Sequence, residues 1–244
     1  MLSFSEIRKI EEIFQGNGWD PKAQIFHRQG LNLFDAVSAF IARIKPDERN
    51  IIFNMLPHYE IINDYHRYGR ILWSKLNPII DKSKYYYISP VSLPDAGRIK
   101  SGASFCYDVY SFFPKDKFQN IEFVDSPFSS DITLEDDGAL IFVDDFVGTG
   151  DQFLEMYEIF AKKFGKPETC ILLVIRIQDD AYQTLSKFGI TILTDQIRMK
   201  AITSGRAIGA MSIDEARKVY LQIENEINVP ARWGKKNYHW HCSE

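Results

Sequence analysis

From Tyr85 onward the chain is built of short apolar runs bounded by turn residues: Tyr85 to Ser89, Ile121 to Val124, Leu140 to Val143, Ile171 to Ile177 and Thr191 to Leu193. Runs of this length and composition look like buried strands. Between them lie segments with helical spacing, Ser104 to Phe113, Gln152 to Phe164 and Asp180 to Phe188. Strands that alternate with helices imply parallel βαβ units and a sheet covered on both faces. The expected fold class is therefore α/β. In such sheets ligands bind beyond the carboxyl ends of the strands.

The first 80 or so residues have a different texture. Ile7, Ile10, Ile13 and Phe14 predict a helix over Ser5 to Phe14, stopped by Gly16-Asn17-Gly18. Phe34, Val37, Phe40, Ile41 and Ile44 predict a second over Leu31 to Ile44, before Pro46. Further helix is expected from Asp47 to Leu76, with breaks near Pro57 and Gly69. A last helix over Ser212 to Asn225 opens on a capping box, Ser212 with Glu215. These readings divide the chain into a helical N-terminal extension (1–80), an α/β core (81–230) and a C-terminal tail (231–244).

At 244 residues the chain can bury a core of its own, and a net charge of −4 argues against coating nucleic acid by charge alone. Cys106, Cys170 and Cys242 are few and widely spaced, which fits reduced thiols and no disulfide framework. No stretch approaches the roughly 18–20 apolar residues that span a bilayer, and Met1 to Glu6 has no secretory pattern, so a cytoplasmic protein is expected, with no membrane partner.

Leu140 to Phe153 carries the chemistry: an apolar strand, Asp144-Asp145, Phe146-Val147, the small loop Gly148-Thr149-Gly150, then Asp151-Gln152-Phe153 opening a helix. The strand brings two carboxylates to the sheet's carboxyl edge, where they can accept hydrogen bonds from vicinal ribose hydroxyls. The loop lacks bulky side chains, so its backbone N–H groups can turn around a phosphate, and the helix adds its positive end.

This stretch resembles the phosphoribosyl pyrophosphate signature of type I phosphoribosyltransferases, in which about four apolar residues precede two acids, two apolar residues, a small residue and Thr-Gly. Asp144 and Asp145 match the acidic pair, Gly148 the small position, and Thr149 and Gly150 the Thr-Gly. The resemblance implies a phosphoribosyltransferase-like parallel sheet with Asp144 and Asp145 as the catalytic pair. It also implies a ligand site at Gly148, Thr149, Gly150, Asp151 and Gln152. Mg2+ is implied as a cofactor bound through the substrate pyrophosphate, with no metal ligated by the protein itself. Two positions depart from the active pattern. Gln152 stands where a hydroxyl usually meets the 5-phosphate, and Asp151 places a carboxylate beside it, pointing outward or capping the helix. Gly148 replaces the acid resembling a catalytic base in the purine-salvage branch.

The family implies a second loop that holds the pyrophosphate. Here it is Ser89 to Gly102, where Lys100-Ser101-Gly102 at a helix start reads either as an anion cup or as surface loop with solvated cations. The acidic motif, the long helical N-terminus and this unusual loop are similar to a divergent group of phosphoribosyltransferase-like effectors in bacterial conflict and antiphage systems, some beside retron reverse transcriptases. That implies a protein acting on nucleotides in defence. It has two alternatives: a catalytically inactive sensor of nucleotide or phosphoribosyl pyrophosphate, and a module that contacts a protein or nucleic-acid partner of the defence system. Whether transferase chemistry is retained stays open.

Three weaker signals remain. His239-Trp240-His241-Cys242 holds metal-capable side chains but no second ligand pair, and reads as a tail. Arg176, Arg198, Lys200 and Arg206 either face a phosphate at the sheet edge or are solvated. Tyr59, Tyr65, His66, Arg67, Tyr68 and Arg70 mix rings with cations, as single-strand binders do, or simply pack at helical spacing.

Overall fold

The computed structural model describes residues 1–23, 32–62, 64–81, 83–94, 101–113, 120–133 and 138–226. Among them, β1 (Tyr86–Pro90), β2 (Ile121–Phe123), β3 (Ala139–Val147), β4 (Thr169–Gln178) and β5 (Thr191–Arg198) form one sheet in the order β2-β1-β3-β4-β5. Every pairing is parallel. The α/β expectation therefore holds. The tertiary contacts group the described residues into two compact units, one from Met1–Ile61 and Lys200–Glu244, the other from Ile62–Met199.

The second unit contains the sheet. Both of its faces are covered, which is why β3 and β4 read as continuous apolar runs instead of alternating ones. On one face Ile88, Ile141, Val143, Leu173 and Ile175 pack against α4 (Tyr65–Leu76) and α5 (Ser101–Ser111). On the other, Leu140, Phe142, Leu172 and Val174 pack against α6 (Asp151–Phe164) and α7 (Asp179–Lys187). Phe142 is fully buried and meets Phe153 and Phe160 edge-on at ring separations of 5.4 and 6.2 Å. Truncating a buried ring of this kind costs about 3–5 kcal/mol. These contacts fix α6 against the strand that carries the acidic pair.

The expected break at Gly69 does not occur. The helix runs through it, and a Cβ there would stand 2.9 Å from the Phe112 ring, so the missing side chain admits α5. Pro57 does interrupt: it sits in a single 3-10 turn, Leu56–His58.

In the other unit, α1 (Phe4–Asn17), α2 (Leu33–Arg43), α3 (Arg49–Met55) and α8 (Ile213–Glu226) bury Ile10, Phe14, Ile41, Ile51, Phe53 and Ile223 in one cluster. The predicted Ser212/Glu215 capping box is formed. A second box, Ser3 with Glu6, starts α1 just ahead of the apolar spacing that marks the helix in the sequence. His239 to Cys242 lie outside the described residues. Among the described residues no helix is long and apolar enough to cross a membrane.

Candidate ribose-phosphate site at the end of β3

β1 lies between β2 and β3, so the chain turns to one side of β1 and then to the other, which creates a topological switch point between β1 and β3. Open α/β sheets bind ligands in the crevice at this place, outside the carboxyl ends of the strands. The register shows what reaches it. The last β1–β3 pair is Pro90 with Val143, whereas β3 continues against β4 through Asp144 with Val174 to Val147 with Ile177. Asp144 and Asp145 thus extend past the end of β1 while β4 holds them from the other side. The strand is longer than its apolar run because this one-sided pairing carries it through the acids.

Both carboxylates are half-buried. Asp144 Oδ1 accepts the backbone N–H of Asp145 at 2.9 Å. Asp145 Oδ2 accepts the Tyr65 hydroxyl at 2.7 Å. The start of α5 lies against Asp144: a Cβ on Gly102 would stand 2.6 Å from Asp144 Oδ1 and 3.6 Å from its Cα. Of the three residues expected to form an anion cup, Gly102 lies beside Asp144, while Lys100 and the side chain of Ser101 lie outside the described residues. Cys106, one turn further along α5, is buried, and its thiol is pushed well above the usual range by burial and then by the Asp144 and Asp125 carboxylates. It is kept protonated and is a poor nucleophile.

After Val147 the loop turns through Gly148, half-buried, and Thr149, exposed, to Gly150, buried with φ at +86°. A residue with a Cβ would be strained there. Thr149 Oγ1 accepts the Asp151 N–H at 3.4 Å, and the first bond of α6 runs from Leu154 N–H to Gly150 C=O at 3.0 Å. Gly150 is the N-cap, and no side chain caps the helix. Of the two expectations for Asp151, capping is thereby corrected. Asp151 is the first helical residue, exposed beside the exposed Gln152, where its charge complements the helix dipole.

Arg176 is neither solvated nor turned toward a sheet-edge phosphate. It is buried, donates to Asp195 Oδ2 at 2.5 Å and to the Tyr68 hydroxyl at 3.3 Å, and stacks its guanidinium over the Tyr68 ring at 5.1 Å. Arg198 ends β5, whereas Lys200 and Arg206 belong to the other compact unit. Tyr65 packs on Phe105 with ring centroids 5.2 Å apart, and Tyr68 is buried, so the packing alternative for these tyrosines holds. Their hydroxyl partners were not foreseen.

Among the described residues no group of three or more His, Cys, Asp or Glu side chains is placed to hold a metal ion. A cavity of about 440 Å³ opens beyond the end of β2, lined by Phe123, Asp125, Ser126, Phe128 and Asp131 among others, and the β3 acids are not part of its wall.

Residues 31–228 match the family model described as PRTase-CE, a span that contains the whole sheet, the acidic pair and the glycine loop. No curated protein matches the chain. Among solved structures, the AQ2163 protein from Aquifex aeolicus shares 9% identity over 67% of this chain and 82% of its own, with a TM-score of 0.38. TT1426 from Thermus thermophilus shares 11% identity over 67% of this chain and 99% of its own, with a TM-score of 0.39. Likeness of that degree bears on neither ligand nor activity. The family match does decide membership: the chain belongs to the PRTase-CE family, a phosphoribosyltransferase-like family.

Proposed function

We propose that the end of β3, its glycine loop and the start of α6 bind a ribose 5-phosphate group, carried by phosphoribosyl pyrophosphate or a nucleotide. On this reading the protein acts on nucleotides in the cytoplasm as an effector of bacterial antiphage defence. The observation that carries the ligand assignment is the projection of Asp144 and Asp145 past the end of β1, followed at once by Gly148 to Gln152 and the N-terminus of α6. The two carboxylates accept the vicinal ribose hydroxyls. The loop and the first turn of α6 receive the 5-phosphate.

Transfer chemistry asks little of side chains here. The C1–O bond breaks with its electron pair leaving on the pyrophosphate, and an acceptor's lone pair forms the new bond to C1. Mg2+ carried on a substrate pyrophosphate would come beside the half-buried carboxylates of Asp144 and Asp145, hard oxygen groups that suit such an ion. When bound, that ion would neutralise charge on the leaving pyrophosphate. The chain's own part is to orient the ribose through Asp144 and Asp145.

The exposed Asp151 in the first turn of α6 favours a second reading, a sensor that binds without turnover. Like charges about 4 Å apart repel by roughly 1–4 kcal/mol in water-like to intermediate surroundings, enough to offset one charged hydrogen bond to a phosphate. Incubation with Mg2+, phosphoribosyl pyrophosphate and a nucleotide panel, read by mass spectrometry, separates the two: pyrophosphate or base release means an enzyme, binding without release a sensor.

Titration calorimetry with ribose 5-phosphate tests the site itself. Asp144→Asn with Asp145→Asn should abolish binding and phage protection while circular dichroism stays unchanged. Full affinity in the folded double variant would remove the cradle from the function.

A further inference from the structure

We propose that Tyr65 is a positioning residue for the acidic pair: its hydroxyl sets the carboxylate of Asp145 in the orientation that meets a ribose hydroxyl. This rests on the reading of the β3 end as a ribose-phosphate site. The bond itself, Tyr65 hydroxyl to Asp145 Oδ2 at 2.7 Å, joins positions 80 residues apart, and separate restraints hold the donor in place. Tyr65 is the first residue of α4, whose start is fixed by the Asp64 side chain accepting the Arg67 N–H at 2.9 Å. Its ring rests on Phe105 of α5. One turn on, Tyr68 is buried beneath the Arg176 guanidinium. Arg176 in turn is tied to Asp195, so the helix is referenced to β4 and β5 as well as to β3.

A donor so constrained does more than satisfy a half-buried carboxylate. Asp145 has two rotatable side-chain bonds, and water could satisfy its oxygens in many orientations. A fixed phenol selects one of them before the ligand arrives, which lowers the ordering cost of binding. Asp144 is restrained differently, by the backbone N–H of Asp145 and the nearby start of α5. Each carboxylate therefore has its own support, one from the strand and one from α4.

The proposal separates the sugar from its phosphate. The tyrosine acts through Asp145, so its loss should weaken a ligand with ribose hydroxyls and leave a bare phosphate, which meets only the loop and α6, unaffected. Titrate the full chain and its Tyr65→Phe variant with ribose 5-phosphate and, separately, with inorganic phosphate. Phenylalanine keeps the ring on Phe105, so the fold should be retained; Tyr65→Leu supplies a second variant that cannot donate to Asp145 and should show the same selective loss. The expected result is a loss of about tenfold in ribose 5-phosphate affinity with phosphate affinity unchanged. Equal losses for both ligands would mean that Tyr65 only supports the packing of the site, and would overturn the proposal. So would unchanged ribose 5-phosphate affinity in Tyr65→Phe, given that Asp144→Asn with Asp145→Asn abolishes it. Failure of that double variant to weaken binding would instead remove the ribose-phosphate reading, and this inference with it.

Discussion

The Tyr65 hydroxyl donates to Asp145 Oδ2 at 2.7 Å, so the acidic pair near the end of β3 is not a property of the strand and loop alone. A second tyrosine on the same face of α4, Tyr68, stacks under Arg176, and Arg176 reaches Asp195. One short helix is thereby referenced to three adjacent strands at their carboxyl halves, the side on which open α/β sheets generally bind ligands.

The Arg176–Asp195 pair should be a large single contributor to the stability of the sheet unit. Arg176 is buried, with its side chain 8% exposed against 27% for Asp195. Removing one member of a buried pair typically costs about 3–5 kcal/mol because the other charge is left unpaired, and the partial exposure of Asp195 reduces this. Arg176→Ala should lower the unfolding free energy in urea by about 2–4 kcal/mol. Asp195→Asn should cost at least as much, since it leaves the more buried charge, Arg176, without a counter-ion and with only the neutral Ile175 carbonyl and Tyr68 hydroxyl as partners. Equal urea midpoints for Arg176→Ala and the parent chain would show that the pair adds nothing.

The sheet and its covering helices were legible in the sequence because strands buried on both faces must be apolar at consecutive positions. Leu140 to Val143 shows this directly, and the helices between runs show the 3.6-residue period. The continuation of β3 beyond Val143 was not legible as strand. Asp144-Asp145 breaks the apolar run, and only the one-sided pairing with β4 carries the strand through it. The acidic pair and loop were recognisable because their chemistry is local. The support of Asp145 by Tyr65 and the burial of Arg176 depend on contacts across 80 and 108 residues, which no local pattern encodes. Ser3 with Glu6 is a different case: the capping signature was present and lay just outside the apolar period that marked the helix.

Glu6 makes acid stability measurable at one site. The Ser3 backbone N–H at 2.7 Å, Arg49 at 2.9 Å and the Ser3 hydroxyl at 2.8 Å hold its carboxyl down at about 2, from an ordinary 4.5. A carboxyl lowered on folding stabilises the fold above its unfolded value, and that contribution is lost as pH falls from about 4.5 toward 2. Glu6→Gln should therefore melt a few degrees lower at neutral pH, in line with roughly 1 kcal/mol for a partly screened pair. The gap to the parent chain should close as pH falls through that window. A gap that stays constant from neutral pH down to about 2 would mean that the ionised carboxylate is not what stabilises the helix start.

Gly102→Ala offers the sharpest separation of fold from site. Gly102 lies in α5 without a left-handed backbone, so alanine suits its conformation, and alanine is favoured over glycine in helices by up to about 1 kcal/mol. The added Cβ would nevertheless stand 2.6 Å from Asp144 Oδ1. The carboxylate is the mobile end of a side chain and can rotate away, so the clash is relieved cheaply by moving Asp144. That movement breaks its 2.9 Å bond from the Asp145 N–H and turns it out of the crevice. The two effects have opposite signs. The melting temperature should stay within a few degrees of the parent value or rise, while ribose 5-phosphate affinity falls by about tenfold or more. Calorimetric melting and titration on the same sample check both halves. A variant that melts normally and binds with parental affinity would show that the placement of Asp144 against α5 is not needed for ligand binding.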